Sequence, residues 1–533
     1  MNDDTSTDRY AVDPITSRGF GSLSVATILA DPAHRYPDRP AIIMGATTTT
    51  YGELWAGAMA YAGALRARGI GRGDRVAMLV PNVTDFPRVY YAILSLGAIA
   101  VPIHLLLKGE EIEYILRDSG SKLVVIAAPM LAEGGKGAAA GGVPVVTVML
   151  PDSLVKDVPF PRLEDEAALG EPLERYESVN PLDAATILYT SGTTGKPKGA
   201  VGSHLALVEQ VQTALIDSFD MRVEDVLFGG LPLFHTFGQS SVMNVGFRRG
   251  AAILLIPRFE PDDVLAQMIR NRVTIMAGVP TMFIALLDAA SRSADRPPLR
   301  FCVSGGSGLP LAVLERFERV FGAPVHEGYG LTETSPTVTF NHTRDEPVAG
   351  TVGRPIWGVD VEIANADIDD RIEFLPAGEL GEVIVRGHAL FKGYLHNDRA
   401  NAESFIDGWF RTGDLGTKGE DDRVTIVDRK KDMIVRNGYN VYPTEVENVL
   451  ARLDGVAQVA VFGIPDETHG QEVAAAVVRA AGSSLTEGDV IAYAKEHEAA
   501  YKYPRHVYFL DAMPLGASGK VLKRELQEMY KGV

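Results

Sequence analysis

Cysteine is almost missing from this chain: Cys302 stands alone among 533 residues. One thiol forms no internal disulfide, and secreted proteins of this size usually carry several bridges, so a reducing, cytoplasmic setting is expected. Also lacking is a basic start followed by an apolar run. The opening Met-Asn-Asp-Asp-Thr-Ser-Thr-Asp-Arg is acidic and polar, and it does not read as a secretory signal. No apolar stretch is clean enough for a bilayer span. Residues 89–107 come nearest, but Ser95, Gly97, Pro102 and His104 interrupt them, and they read as a helix turning into a buried strand. Cations are in deficit: 51 Lys and Arg against 69 Asp and Glu give a net charge of −18, which favours solubility and argues against nucleic-acid binding. Any anionic ligand must therefore be met by local donors. With 46% hydrophobic residues the chain is neither disordered nor fibrous, and its length should divide into two or more lobes.

What is present is a repeated alternation. Short β-branched runs at 75–80, 123–127, 185–189, 252–256, 273–277 and 301–304 are separated by longer amphipathic stretches, which predicts α/β layers with parallel strands. From about 361 to 385 the pattern becomes strand-like, with Gly378-Glu379-Leu380-Gly381 as a turn, predicting a β-rich subdomain. After Asp428 the chain begins again with charge, Gly438 and Pro443, a helix expected over 444–453 and a strand over 457–462. This predicts a large N-terminal domain over 1–428 and a small α/β domain over 429–533. Residues 133–143, rich in Gly and Ala, read as a loop, and 521–529 as a basic amphipathic helix.

The densest local signal is Tyr189-Thr190-Ser191-Gly192-Thr193-Thr194-Gly195-Lys196-Pro197-Lys198-Gly199, directly after an expected buried strand. Its glycines permit tight turns, its hydroxyls and N–H groups can donate to phosphate oxygens, and Lys196 and Lys198 add positive charge. The bland alternative is a surface turn. It is not a Walker A loop, because Pro197 follows Lys196 where that pattern needs Ser or Thr, which counts against a P-loop kinase or ATPase.

The loop belongs to an ordered set: Leu231-Pro-Leu-Phe-His235, Tyr329-Gly-Leu-Thr-Glu333, Trp409-Phe-Arg-Thr-Gly-Asp414, Asp428-Arg-Lys-Lys-Asp432 and Ser518-Gly-Lys520. From about residue 24 to the C-terminus the chain resembles the adenylate-forming superfamily of acyl-CoA synthetases, luciferase-like enzymes and peptide-synthetase adenylation domains. The resemblance implies a large N-terminal domain, a mobile C-terminal domain, a hinge about 428–432, and two reactions at one site. ATP and a carboxylic acid would give acyl-AMP and pyrophosphate, and the thiol of coenzyme A would then displace AMP.

The resemblance also implies roles. Lys520 would bridge the carboxylate and the α-phosphate, Glu333 would hold Mg²⁺, and Thr332 would donate to the α-phosphate. Nucleotide would lie on residues 190–196 and Lys198, on Gly305, Gly306 and Ser307, and on Glu327, Gly328, Tyr329 and Gly330, with Tyr329 stacked on adenine. Asp414, read as a strand-end carboxylate, would bind ribose with Arg429. Lys431 would be the hinge, and Gly438 would line the pantetheine tunnel. His235 would gate an acyl pocket shaped by Phe237, Gly238, Gln239, Met276, Val303, Gly305, Gly328 and Pro336. On spacing alone, Asp414 reads instead as a turn residue and Lys520 as a solvated lysine, while His235 could as well be a member of an aromatic cluster. Residues 231–244 most resemble bacterial fatty acyl-CoA ligases, implying a medium- or long-chain acid. An aryl-acid ligase, an acyl-AMP ligase loading a carrier protein and a non-catalytic nucleotide-binding protein stay open, as does a homo-oligomer.

Overall fold

The computed structural model describes residues 23–190, 196–480, 482–516 and 520–531. Its first sheet has six strands in the order Val145–Val148, Leu123–Ala127, Arg75–Leu79, Ile99–Pro102, β1 (Ala184–Thr190) and β2 (Lys198–Ser203), all parallel except the β1–β2 hairpin. Helix α1 (Gly109–Ser119) covers one face. Its Ile112, Ile115, Leu116 and Ser119, spaced for one helical stripe, are buried. Residues 89–107 become the end of helix Asp85–Ser95 and strand Ile99–Pro102, as read from the sequence.

The run 133–143 departs from its reading as a loop. It is most of α2 (Leu131–Gly141), an eleven-residue helix laid against α1. The reason is contact, not propensity. A Cβ on Gly137 would lie 2.6 Å from Ile112 and 2.8 Å from the Gly109 carbonyl, and one on Gly134 would lie 2.8 Å from Leu79. Glycine lets this helix approach closely enough to bury the face of Gly134, Gly137 and Ala138.

The second sheet has nine strands, ordered Arg354–Pro355, Thr337–Phe340, β3 (Val325–Gly330), Phe301–Ser304, Ile275–Gly278, Val226–Gly229, Ala252–Leu255, Pro40–Met44 and Thr47–Thr50. The largest apolar core joins both sheets through helices Tyr51–Ala67 and Asp85–Ser95. A second core on the other face of the nine-stranded sheet contains Met276, Cys302 and Phe283. The β-rich part pairs Val359–Ala364, Gly381–Gly387, β4 (Trp409–Lys418) and β5 (Val424–Arg429) in antiparallel fashion. The C-terminal part packs α3 (Pro443–Leu450) and α4 (Lys523–Met529) around a five-stranded sheet, and its cores draw only on residues beyond 433. No helix among the described residues is long and apolar enough to cross a membrane.

Candidate active site

Parallel strands Ile275–Gly278, Phe301–Ser304 and β3 end along one edge, and the crevice outside such carboxyl ends is where open α/β sheets bind ligands. The loop after Ser304 turns at Gly306, whose φ of +87° suits glycine. A Cβ there would lie 3.6 Å from Cε of Lys520, so the C-terminal lysine rests directly on this loop. Gly305 faces the Phe237 ring, and a Cβ on Gly328 would meet Phe340 at 2.7 Å. Small residues thus leave room beside the ends of these strands, and Ser307 is exposed next to them.

Asp414 is 4% exposed and pairs with Arg429 across β4 and β5. Tyr329 donates from its hydroxyl to Oδ2 at 2.6 Å, and Arg429 Nε stands 3.3 Å from Oδ1. Burial raises the Asp414 pKa, opposed by Arg429 and by the Tyr329 hydrogen bond. The expected strand-end position is corrected: Asp414 lies within a ten-residue strand. Gly413, at φ +73°, and a register shift at Leu415–Gly416 allow the strand to continue past it.

Glu333 is buried in the one-turn helix Thr332–Thr334, where Thr332 is half-buried. The hydroxyl of Tyr394 donates to Glu333 Oε1 at 2.8 Å, and Lys198 Nζ sits 4.2 Å from the centre of the Tyr394 ring. The other carboxylate oxygen of Glu333 accepts no hydrogen bond among the described residues. A hard oxygen donor held at one end suits Mg²⁺, which takes few protein ligands and completes its shell with phosphate and water. Tyr394 was not foreseen, because Lys392-Gly393-Tyr394 has no spacing that separates it from a core aromatic.

Ser191, Gly192, Thr193, Thr194 and Gly195 lie outside the described residues, as do Ser518 and Gly519. The loop's flanks are placed: Thr190 and Lys198 are paired across the hairpin, and Lys196 Nζ lies 5.5 Å from the centre of the Tyr114 ring.

Lys520 is half-buried. Burial and Arg429 pull its ammonium down to about 8, against the opposing pull of Asp414 and Glu333. His235 is pulled down to about 4, first by burial, then by Lys520 and by His104, whose ring packs on Phe234. Its Nδ1 accepts the Phe237 N–H at 3.3 Å, which leaves the ring proton on Nε2. Lys431 is exposed in the turn that follows β5.

Several predicted residues stand elsewhere. Met276 is fully buried in the second core with Cys302, on the opposite face of the sheet from Val303, so it does not shape the pocket. Gln239 spends its amide on the Tyr90 hydroxyl and the Leu233 carbonyl, inside the packing against helix Asp85–Ser95. Glu327 accepts the Leu309 N–H, and burial pushes its carboxyl up to about 7. Gly330 and Gly238 are needed for close approach to the carbonyls of Pro336 and Pro232, and the Pro336 carbonyl closes the turn by accepting from Leu331 N–H. Gly438 forms a two-residue hairpin with Asn437, both at positive φ. A Cβ there would meet open space, so backbone geometry and not a filled tunnel calls for glycine.

Comparison with known proteins accords with this arrangement. Residues 29–395 match the AMP-binding enzyme family model, and residues 445–520 match that of the AMP-binding enzyme C-terminal domain. A long-chain-fatty-acid–CoA ligase from Bacillus subtilis (strain 168) is 31% identical over 95% of this chain and 94% of its own length. A feruloyl-CoA synthase from an Amycolatopsis species is 34% identical over 96% and 99%. ATP-bound MatB from Rhodopseudomonas palustris superposes with a TM-score of 0.86 at 32% identity, covering 95% of this chain and 99% of that one.

Proposed function

The chain belongs to the AMP-binding enzyme family, and from that premise we propose an ATP-dependent ligase that joins a medium- or long-chain fatty acid to coenzyme A. As an enzyme it is an acid-thiol ligase that binds adenine nucleotide. The observation that carries the reading is convergence: Lys520, more than a hundred residues from Asp414 and almost two hundred from Glu333, is close enough to both that their charges shift its pKa.

In the first half-reaction the acid's carboxylate attacks the α-phosphorus of ATP and pyrophosphate leaves. Both reactants are anionic, so a preformed cation lowers the barrier, and Lys520 supplies it. Asp414 holds the ribose with Arg429, Thr332 donates to the α-phosphate, and Tyr329, fixed through its hydroxyl, offers its ring to adenine. Glu333 would hold Mg²⁺, which would supply electrostatic stabilisation to the triphosphate oxygens. In the second half-reaction the domain 429–533 turns about residues 428–432 and withdraws Lys520, and the thiol displaces AMP from the acyl carbon. His235, neutral at working pH, borders the acyl entrance.

The apolar surroundings of Val303 favour an aliphatic acid. Phe219, Met221, Leu227, Val242 and Ile275 pack near it around a void of only about 10 Å³, and Ser241 is the lone hydroxyl in its wall. Between Glu333 and Gly378 the chain runs through short strands and turns without an inserted segment, which favours CoA over a carrier protein as acceptor. The feruloyl relative keeps an aryl acid as the second reading.

A mass-spectrometric product assay tests this with ATP, Mg²⁺ and a panel of aliphatic and aryl acids, with and without CoA. Acyl-CoA with AMP, strongest for aliphatic acids, is the expected result. A preference for aryl acids would replace the substrate, acyl-AMP that never reaches CoA would replace the acceptor, and ADP would end the reading.

A further inference from the structure

Seven residues, 191–197, join β1 to β2, and Gly, Ser and Thr dominate their sequence. Both ends of this loop are tied to one face of α1. Before the loop, the Tyr189 hydroxyl donates to Asp118 Oδ2 at 2.7 Å. After it, the Tyr114 hydroxyl donates to the Pro197 carbonyl at 3.0 Å, and Lys196 extends over the Tyr114 ring. Tyr114 and Asp118 are four residues apart, hence one above the other on the helix. Tyr189 reaches α1 because its strand partner is Gly199, where a Cβ would lie 3.1 Å from the phenol ring.

The helix that makes these bonds is itself held. The Gly109 N–H donates to Glu133 of α2 at 2.9 Å, and Gly137 of α2 packs on Ile112. The glycine-rich run thus serves the loop at second hand, by letting α2 fix α1.

The geometry points to Tyr114 and Asp118 as positioning residues that brace the two ends of the phosphate loop and so set affinity for the β- and γ-phosphates of ATP. The assignment rests on the reading of residues 190–199 as the phosphate loop. Neither residue touches the reacting atoms. Their effect should fall on groups beyond the α-phosphate, because Asp414 and Tyr329, which would hold the nucleoside, belong to other elements.

Calorimetric titration of the full chain with Mg²⁺ and either α,β-methylene-ATP or AMP separates these terms without turnover or knowledge of the acid. Tyr114→Phe and Asp118→Ala should each weaken the triphosphate analogue by roughly three- to tenfold, the effect of losing one hydrogen bond, and leave AMP within about twofold. Asp118→Asn, whose amide oxygen still accepts from Tyr189, should bind the analogue like the unaltered chain. Unchanged analogue affinity in both variants would overturn the brace, and so would an equal loss for AMP, which marks general damage to the site. If Tyr114→Phe does not fold, the Asp118→Ala and Asp118→Asn pair decides. An unaltered chain that gains nothing from the extra phosphates would defeat the phosphate-loop reading, and the brace with it, yet leave the adenylate reading to the product assay.

Discussion

The role proposed for Lys520 needs its charge, and its surroundings decide when it carries one. Free in water a lysine stays protonated past pH 10; here burial and Arg429 bring it to about 8. The charged form is the acid form, so kcat/KM for ATP should hold at neutral pH and fall roughly tenfold per unit once pH rises above about 8. His235, held near 4, should add no limb between pH 5.5 and 8. Pyrophosphate release measured from pH 6 to 10 checks this. Lys520→Arg, charged throughout, should flatten the fall at a lower plateau, and Lys520→Ala should cost roughly a hundredfold or more. A profile flat to pH 9.5 in the unaltered enzyme would remove Lys520 from the step. At this scale the sequence was partly legible. Motifs name Glu333, Asp414 and Lys520, but the partners of Glu333 and Asp414 come from distant parts of the chain, as Tyr394 does. Met276 and Val303, both expected in the acyl pocket, fall on opposite faces, because the register pairs Met276 with Cys302 and Val303 with Ala277.

Elements were more readable than side chains wherever periodicity carried the signal. Strands Leu123–Ala127 and Phe301–Ser304 begin and end as read, because both are continuous apolar runs buried in parallel sheets. Helix α2 was not readable. Its glycines carry the statistics of a loop, and only the neighbouring surface of α1 explains them. Two substitutions only two residues apart, on nearly opposite faces of the helix, should therefore act in opposite directions. Gly135→Ala meets nothing closer than 3.8 Å and should stabilise by about 0.5–1 kcal/mol, the entropy glycine loses in a helix. Gly137→Ala would press on Ile112 and on the Gly109 carbonyl and should destabilise by about 1–3 kcal/mol. Thermal melts of the two variants decide it. Equal and small shifts would mean that α1 and α2 are packed more loosely than the structure has them.

For the molecule as a whole, the sequence marks a second start after Asp428, and the apolar cores beyond residue 433 share no residue with the others. The join is made of few contacts. Asp428 accepts the Thr444 N–H at the start of α3, while Lys523 of α4 is bonded to Glu447 of α3 at 2.7 Å. A turn about 428–432 would thus separate Asp428 from Thr444 and carry Lys523 and Glu447 together. The near-absence of cysteine makes this measurable, because Cys302 is fully buried with its thiol pKa pushed up, and introduced thiols will label alone. Spin labels at Glu315→Cys and Ala492→Cys, on exposed helix faces, span the two parts, whereas Ala492→Cys with Glu528→Cys lies within the second. With ATP replaced by a non-hydrolysable acyl-adenylate analogue plus CoA, the distance across the parts should shift and the distance within the second should not. Movement of both pairs would mean that the C-terminal part deforms instead of turning. Movement of neither would leave Lys520 in place for the second half-reaction, and a single arrangement would then have to serve both steps.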